Sequence, residues 1–274
     1  AMKKNVYQMP GVAAFSDEFR DGLRGPFGDD AKGGFIVGRP HFEADVRYGI
    51  VGGISHPQLT GDSIASSVAV WANSPMQFIS YVSCHDDLCL FDRFRKTVPG
   101  ASVKELYAWQ KLAETAVLTS QGVPFIYSGD EILRSKFGVA NSYNSGDSIN
   151  AINWGLKTIH REVFDYIRGL IAMRKAHPAF RLGSPDLIRK HLEFIHVPAT
   201  NVVAFRLKGK PCGDSWLNTI VVLNARTEPI KVDIPDGKYW IACRDGKIDL
   251  VLGLGTLQGN QTVVAPMSAM IIHQ

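Results

Sequence analysis

Along the first 176 residues, short apolar runs alternate with helical periods, and three of those runs stop in polar, titratable residues. The run at 12–15 ends in Ser16, Asp17, Glu18, Phe19, Arg20 and Asp21. The run at 76–84 ends in His85, Asp86 and Asp87, and the run at 123–127 ends in Ser128, Gly129, Asp130 and Glu131. Short apolar runs bounded by turn residues read as buried strands. Between them, residues 102–120 read as a helix, because Leu106, Tyr107, Trp109, Leu112, Ala113, Ala116 and Val117 recur near the helical period. Pro99-Gly100 breaks the chain before it, Ser102 with Glu105 makes a capping box, and Gly122 is expected in the left-handed conformation after it. A second helix is expected over 159–176, with Val163, Phe164, Ile167, Leu170, Ile171 and Arg174 on one face. The glycine-dense stretch 22–53 reads as a long loop with at most short elements. Residues 55–73 read as irregular, with a turn or two of helix over 64–71, and 134–154 as a loop without hydrophobic period.

This order, strand-loop-strand-helix-strand-loop-helix, predicts parallel β/α units with one active face at the C-terminal ends of the strands. After His177-Pro178 the pattern changes. Runs at 192–197, 202–207, 219–223, 230–234, 238–242, 262–264 and 269–272 are separated by turns, which predicts a small antiparallel sandwich. Two domains are therefore expected, 1–179 and 180–274. A complete (β/α)8 barrel takes about 250 residues. Three strands in 176 residues leave two readings of the first part, a small α/β domain or the last part of a barrel.

Composition narrows the partners. Of 274 residues, 45% are hydrophobic and 20% charged, ordinary for a globular protein, and the net charge is only +4. No basic run or basic aromatic stripe appears, so nucleic acid is not an expected partner. No apolar run reaches the roughly 18 residues of a membrane span, so a membrane is not expected either. Ala1 ahead of Met2 and the absence of an apolar signal-peptide core leave the compartment open, and leave open a chain cut from something longer. The cysteines are Cys84, Cys89, Cys212 and Cys243. Cys84 and Cys89 flank His85, but no second C-x-x-C or His pair completes a site, so free buried thiols are expected and no metal centre. His85-Asp86-Asp87 itself reads two ways, as a ligand-facing strand end or as an Asp pair capping the next helix.

Four collinear stretches resolve that choice by resemblance. His85-Asp86, the segment 120–131 (SQGVPFIYSGDE), the segment 141–154 (NSYNSGDSINAINW) and the segment 9–25 (MPGVAAFSDEFRDGLRG) resemble glycoside hydrolase family 13, the α-amylase clan, and within it the type I pullulanases. The resemblance implies strands 6 to 8 of a (β/α)8 barrel followed by an antiparallel β-sandwich, and retaining hydrolysis of α-glucans at α-1,6 branch points. That chemistry needs a nucleophile and an acid/base carboxylate about 5–5.5 Å apart, and the family adds a third carboxylate that supports the transition state. Asp86 matches the third carboxylate and His85 the neighbouring histidine that bonds sugar hydroxyls. Neither of the other two motifs is matched, so an incomplete enzyme, inactive alone, is expected. Arg134 and Asp147 match positions that can pair beside a donor-side sugar or form a structural ion pair holding the loop, and Asn141 and Tyr143 lie in a motif of the debranching subfamily where they can equally scaffold the loop. Asp17, Arg20 and Asp21 are expected mainly as an internal ion-pair group and Glu131 as a structural residue. Asp87 departs from the family, which usually has Asn there. The implied partner is an α-glucan, with open barrel edges favouring self-association. No cofactor is implied for the chemistry, and no residue specifies the structural calcium common in the clan. Two rivals stand beside this reading: a non-catalytic α-glucan-binding or scaffold protein, and a small hydrolase using Asp86, Asp87 and Glu131.

Overall fold

The computed structural model describes residues 3–59 and 70–274. Of the segment expected as a helical turn at 64–71, residues 64–69 lie outside the described residues. The first half is built on three short parallel strands, β1 (Ala14–Phe15), β2 (Phe78–Ser80) and β3 (Val123–Pro124), in the order β1-β2-β3. All three expected strands are present, each shorter than its apolar run. Residues Pro75–Gln77 form a 3-10 turn ahead of β2, stabilised where Ser74 Oγ accepts from the Met76 amide. Pro124 has no amide proton to donate, and it sits on the edge strand, where a missing donor is tolerated.

Helices α1 (Asp17–Arg24) and α2 (Glu43–Ile50) occupy much of the stretch expected as a glycine-rich loop. Both carry acids in the first turn and arginine in the last, which complements the helix dipole. The glycines misled the reading because two of them serve helix packing. A Cβ on Gly22 would lie 2.6 Å from Asp45 Cβ, and one on Gly49 would lie 2.0 Å from the Phe19 ring. Helix α3 (Leu90–Thr97) follows His85-Asp86-Asp87, where a helix capped by the Asp pair is one reading of the sequence, but its N-cap is Cys89. Helix α4 (Val103–Thr119) has the expected capping box, with Ser102 Oγ accepting from the Glu105 amide and Glu105 Oε2 accepting from the Ser102 amide at 2.8 Å. Gly122 beyond it does not take the left-handed conformation expected; it is small because a Cβ would lie 2.4 Å from Ser80 Oγ. Short helices α5 (Asp147–Asn150) and α6 (Leu156–Ile159) lead into α7 (Arg161–Ala176).

Helix α8 (Pro185–His191) opens the second half, which is otherwise β: β4 (Leu192–Ile195), β5 (Val202–Lys208), β6 (Asn218–Asn224), β7 (Ile230–Arg244), β8 (Lys247–Ile248), β9 (Thr256–Val264) and β10 (Ser268–His273). These form one antiparallel sheet in the order β4-β5-β6-β10-β7-β8, with β9 also on β7. The runs expected as separate strands at 230–234 and 238–242 are one strand, whose register against β9 shifts between Asp233 and Gly237. Alternation then sends side chains to two cores. Val203, Phe205, Leu207, Val221, Leu223 and Ile271 join the core shared with α2, α4 and α7. Val202, Ala204, Ile220, Val222, Met270 and Ile272 pack with Val232, Ile234 and Val264 on the opposite face.

Buried arginine closes the first core. Arg174 of α7 donates through Nη1 to the carbonyls of Leu118, Ser120 and Phe180 and through Nη2 to that of Gly122. It thereby ties the end of α4 and the entry of β3 to the chain leaving α7. Arg174→Met fills a similar volume but leaves four buried carbonyls without that donor. Its expected cost is at least about 3 kcal/mol of unfolding free energy in urea denaturation, and a loss below about 1 kcal/mol would contradict this role.

Candidate functional site

The chain leaving β2 runs over the C-terminal edge of the parallel sheet, and its anchors decide what points outward. Tyr81 is buried; its hydroxyl donates to Asp17 Oδ1 at 3.0 Å and accepts from Arg20 Nη1 at 2.9 Å. Arg20 also bonds Asp21 at 2.6 Å and Asp17 at 3.1 Å, so the three α1 residues form the internal ion-pair group expected of them. Burial pushes the Asp17 carboxyl up, but the Lys3 hydrogen bond and the charges of Lys3 and Arg20 outweigh it and hold the group below its ordinary value. Two residues on, Ser83 Oγ donates to Asp130 Oδ2 at 2.5 Å. The His85 carbonyl accepts from Lys136 Nζ at 3.1 Å. Asp87 adopts φ 65°, which turns its carboxylate inward onto the buried Arg24 guanidinium at 2.6 Å.

His85 and Asp86 are left facing water, with side chains 74% and 75% exposed and Nε2 to Oδ1 at 3.3 Å. They border a cleft of about 610 Å³. Its apolar wall is Phe15, Phe27 and Tyr81, in which Phe15 meets the Tyr81 ring edge-on at 4.8 Å and Arg20 lies 5.5 Å over Phe27. Grooves of about 730 and 780 Å³ lie between α4, α7 and the β sheet, and neither is lined by His85 or Asp86.

Beneath the strand ends sits a buried acidic pair. Burial is the main cause raising the Asp130 carboxyl, to about 7, against the opposing Ser83 hydrogen bond. Glu114 on α4 is raised well above its ordinary value by burial and by the charges of Asp130 and Glu131. Glu131 itself is turned back, its Oε2 accepting from the Gly129 amide at 3.0 Å.

Of the candidate sugar-site residues, the cleft brings together His85, Asp86 and Asn141, alongside Asp17, Arg20 and Asp87. It leaves out Arg134, Tyr143 and Asp147. Arg134 is buried, stacked 5.0 Å from the Tyr127 ring, and donates to the Ser128 and Asn150 carbonyls. Asp147 is exposed in the first turn of α5 and, among the described residues, is not ion-paired with Arg134. Tyr143 is 80% exposed. All four cysteines are free, but only Cys89 and Cys243 are buried; Cys84, on the cleft wall, and Cys212 are partly exposed. The aromatic wall escaped the sequence reading, although Phe15 and Tyr81 both lie at strand ends and carried that signal.

The chain is related to known proteins along its whole length. Residues 188–247 match the family model described as pullulanase, all-beta domain. A pullulanase of Bacillus subtilis (strain 168) is 36% identical over 240 residues, 87% of this chain and 32% of that protein. The chloroplastic pullulanase 1 of Arabidopsis thaliana is 30% identical over 218 residues, 65% of this chain and 23% of that one. Among solved structures, type I pullulanase from Bacillus subtilis str. 168 complexed with maltose superposes with a TM-score of 0.90 at 32% identity, covering 100% of this chain and 37% of that chain. The Paenibacillus barengoltzii pullulanase in complex with maltohexaose and α-cyclodextrin superposes with a TM-score of 0.86 at 35% identity, covering 99% and 40%. The chain is thus homologous to pullulanases and spans about a third of the length of the Bacillus subtilis relative.

The buried Asp130 makes stability depend on pH. Folded, it keeps its proton up to about 7; the ordinary value is 3.8. The folded state therefore holds the extra proton between those values, and the Asp130 contribution to unfolding free energy declines as pH rises through them and levels off above about 7. Asp130→Asn removes the titrating group. It is expected to flatten the decline and to leave the variant more stable than the parent at about pH 8. Urea denaturation at several pH values measures this; an unchanged slope would show that Asp130 is ionised when folded.

Proposed function

We propose that this homologue of pullulanases supplies the sugar-binding corner of a retaining α-glucan debranching site, with Asp86 as the carboxylate that supports the transition state and His85 as its hydroxyl-bonding neighbour. In this reading residues 1–179 carry the last strands of a (β/α)8 barrel, with β1 and β3 as the edges where the sheet continues, and residues 180–274 form a β-sandwich. The observation that carries the proposal is charge. Asp17, Asp21 and Asp87 are each paired with lysine or arginine, whereas Asp86 is, among the described residues, the one cleft carboxylate without such a partner.

An unneutralised carboxylate is what a developing oxocarbenium charge requires, because a preorganised opposite charge gains as the positive charge grows. The neutralised acids nearby have little to offer it. The exposed rings of Phe15 and Phe27 offer apolar surface to the apolar faces of glucose units, Tyr81 backs Phe15 from within, and His85 offers a ring nitrogen to a hydroxyl. One free carboxylate, however, cannot run a double displacement. Retention needs a nucleophile and an acid/base about 5–5.5 Å apart. The chain alone should bind glucan without hydrolysing it.

Calorimetry with maltohexaose should show binding to the intact chain, weakened by Asp86→Asn and by His85→Ala by roughly tenfold each, or about 1.4 kcal/mol. Reducing ends should not accumulate from pullulan. No binding at millimolar maltohexaose would overturn the sugar-binding role. Reducing-end release that Asp86→Asn abolishes would overturn the claim that the chain is inactive alone.

A further inference from the structure

Cys84, His85 and Asp86 are consecutive, and in an extended strand consecutive side chains point to opposite faces. Here the bend after β2 overrides that alternation and brings one ligand atom from each residue within 4.8 Å of the others. The Cys84 thiol also lies 3.8 Å from the Asp86 carbonyl, closing the bend on itself. The segment is pinned on both sides, by Ser83 on Asp130, by Lys136 on the His85 carbonyl, and by Arg24 on Asp87 and on the Leu88 carbonyl at 3.2 Å. Its backbone is therefore held by the fold, while the His85 and Asp86 side chains remain free to rotate in solvent. Cys89 plays no part; it is buried against Asp92 and the Arg134 carbonyl.

We propose that Cys84, His85 and Asp86 form a three-ligand site for a thiophilic divalent cation of the zinc type, and that its occupancy blocks glucan from the cleft. One sulfur, one nitrogen and one oxygen with a fourth position open to water is a donor set that zinc accepts. Bonds of about 2.0–2.3 Å require ligand atoms within about 4 Å of one another, a small rotation of exposed side chains from the present arrangement. The thiolate selects against calcium and magnesium, which take oxygen ligands. Binding forms a metal–sulfur bond and releases the thiol proton to solvent. It also turns His85 and Asp86 toward the ion and away from sugar hydroxyls. The metal site stands without the glucan reading; only its blocking effect rests on it.

The test is a titration of the intact, fully reduced chain with Co²⁺, followed by Zn²⁺ calorimetry. One equivalent of Co²⁺ should give a thiolate-to-cobalt charge-transfer band and the visible bands of four-coordinate cobalt. Cys84→Ser should abolish the charge-transfer band, whereas Cys212→Ser, at the other partly exposed cysteine, should keep it. Zn²⁺ affinity should fall in Cys84→Ser, and also in His85→Ala and Asp86→Asn, whose exposed positions spare the fold. Each loss should exceed the roughly 10- to 100-fold typical of an outer-shell partner. Saturating Zn²⁺ should lower maltohexaose affinity in the parent but not in Cys84→Ser. A band that survives Cys84→Ser, or absence of Zn²⁺ binding at micromolar concentration, overturns the site. Unchanged maltohexaose affinity in the zinc-loaded parent overturns the blocking. Failure of metal-free protein to bind maltohexaose counts against the glucan reading and leaves the cobalt result standing.

Discussion

The Arg24–Asp87 ion pair governs what the cleft can present. Arg24 comes from α1 and is buried; Asp87 lies 63 residues later in the chain and meets it at 2.6 Å. A non-glycine residue in the left-handed region costs about 1–2 kcal/mol, and a charge-assisted bond in a buried setting is strong enough to sustain it. With Asp87 turned in, the two residues before it remain exposed at the cleft. An asparagine at position 87 would lack the charge that makes this pairing with Arg24 so strong. Asp87 therefore supplies an anchor, and adds no second free carboxylate beside Asp86.

Buried guanidinium groups recur as the means by which irregular chain is held around the sheet. Arg93 of α3 donates to the carbonyls of Pro26, Asp29 and Lys32 and pairs with Asp30 at 2.8 Å, which fixes the loop that carries Phe27 to the cleft. Arg134 does the same for the loop after β3, and Arg174 for the ends of α4 and α7. Each planar group has several donors in fixed directions, so one side chain satisfies carbonyls that no strand or helix pairs. The short parallel strands can deliver ordered loops because arginines replace the missing ladder bonds.

The division of charge follows from the same economy. Near the strand ends, acids are neutralised by arginine or lysine, as in Asp17 and Asp87, or pushed toward the protonated form by burial, as in Asp130 and Glu114. Asp86 escapes both fates because it is exposed. A charge in water costs the fold little, and it remains available to a ligand.

The features legible in the sequence were those set by near neighbours. The capping box of α4 needs only Ser102 and Glu105, the three apolar runs announce the three strands, and the alternation after residue 192 announces the antiparallel strands, because period and capping are local properties. The ordered motifs around His85-Asp86 identified the kinship for the same reason. What escaped was decided between distant residues. Gly22 and Gly49 read as loop and were helix contacts; Gly122 read as a turn and was a close approach to β2. Arg134 read either as a sugar-side residue or as a loop-holding ion pair with Asp147, and it holds the loop through carbonyls. The pairing that turns Asp87 inward depends on Arg24, and the meeting of Cys84, His85 and Asp86 lies in a bend pinned by three distant residues, Arg24, Asp130 and Lys136. A linear pattern records which groups are polar. Only the folded chain decides which of them are spent on one another and which are left for a ligand.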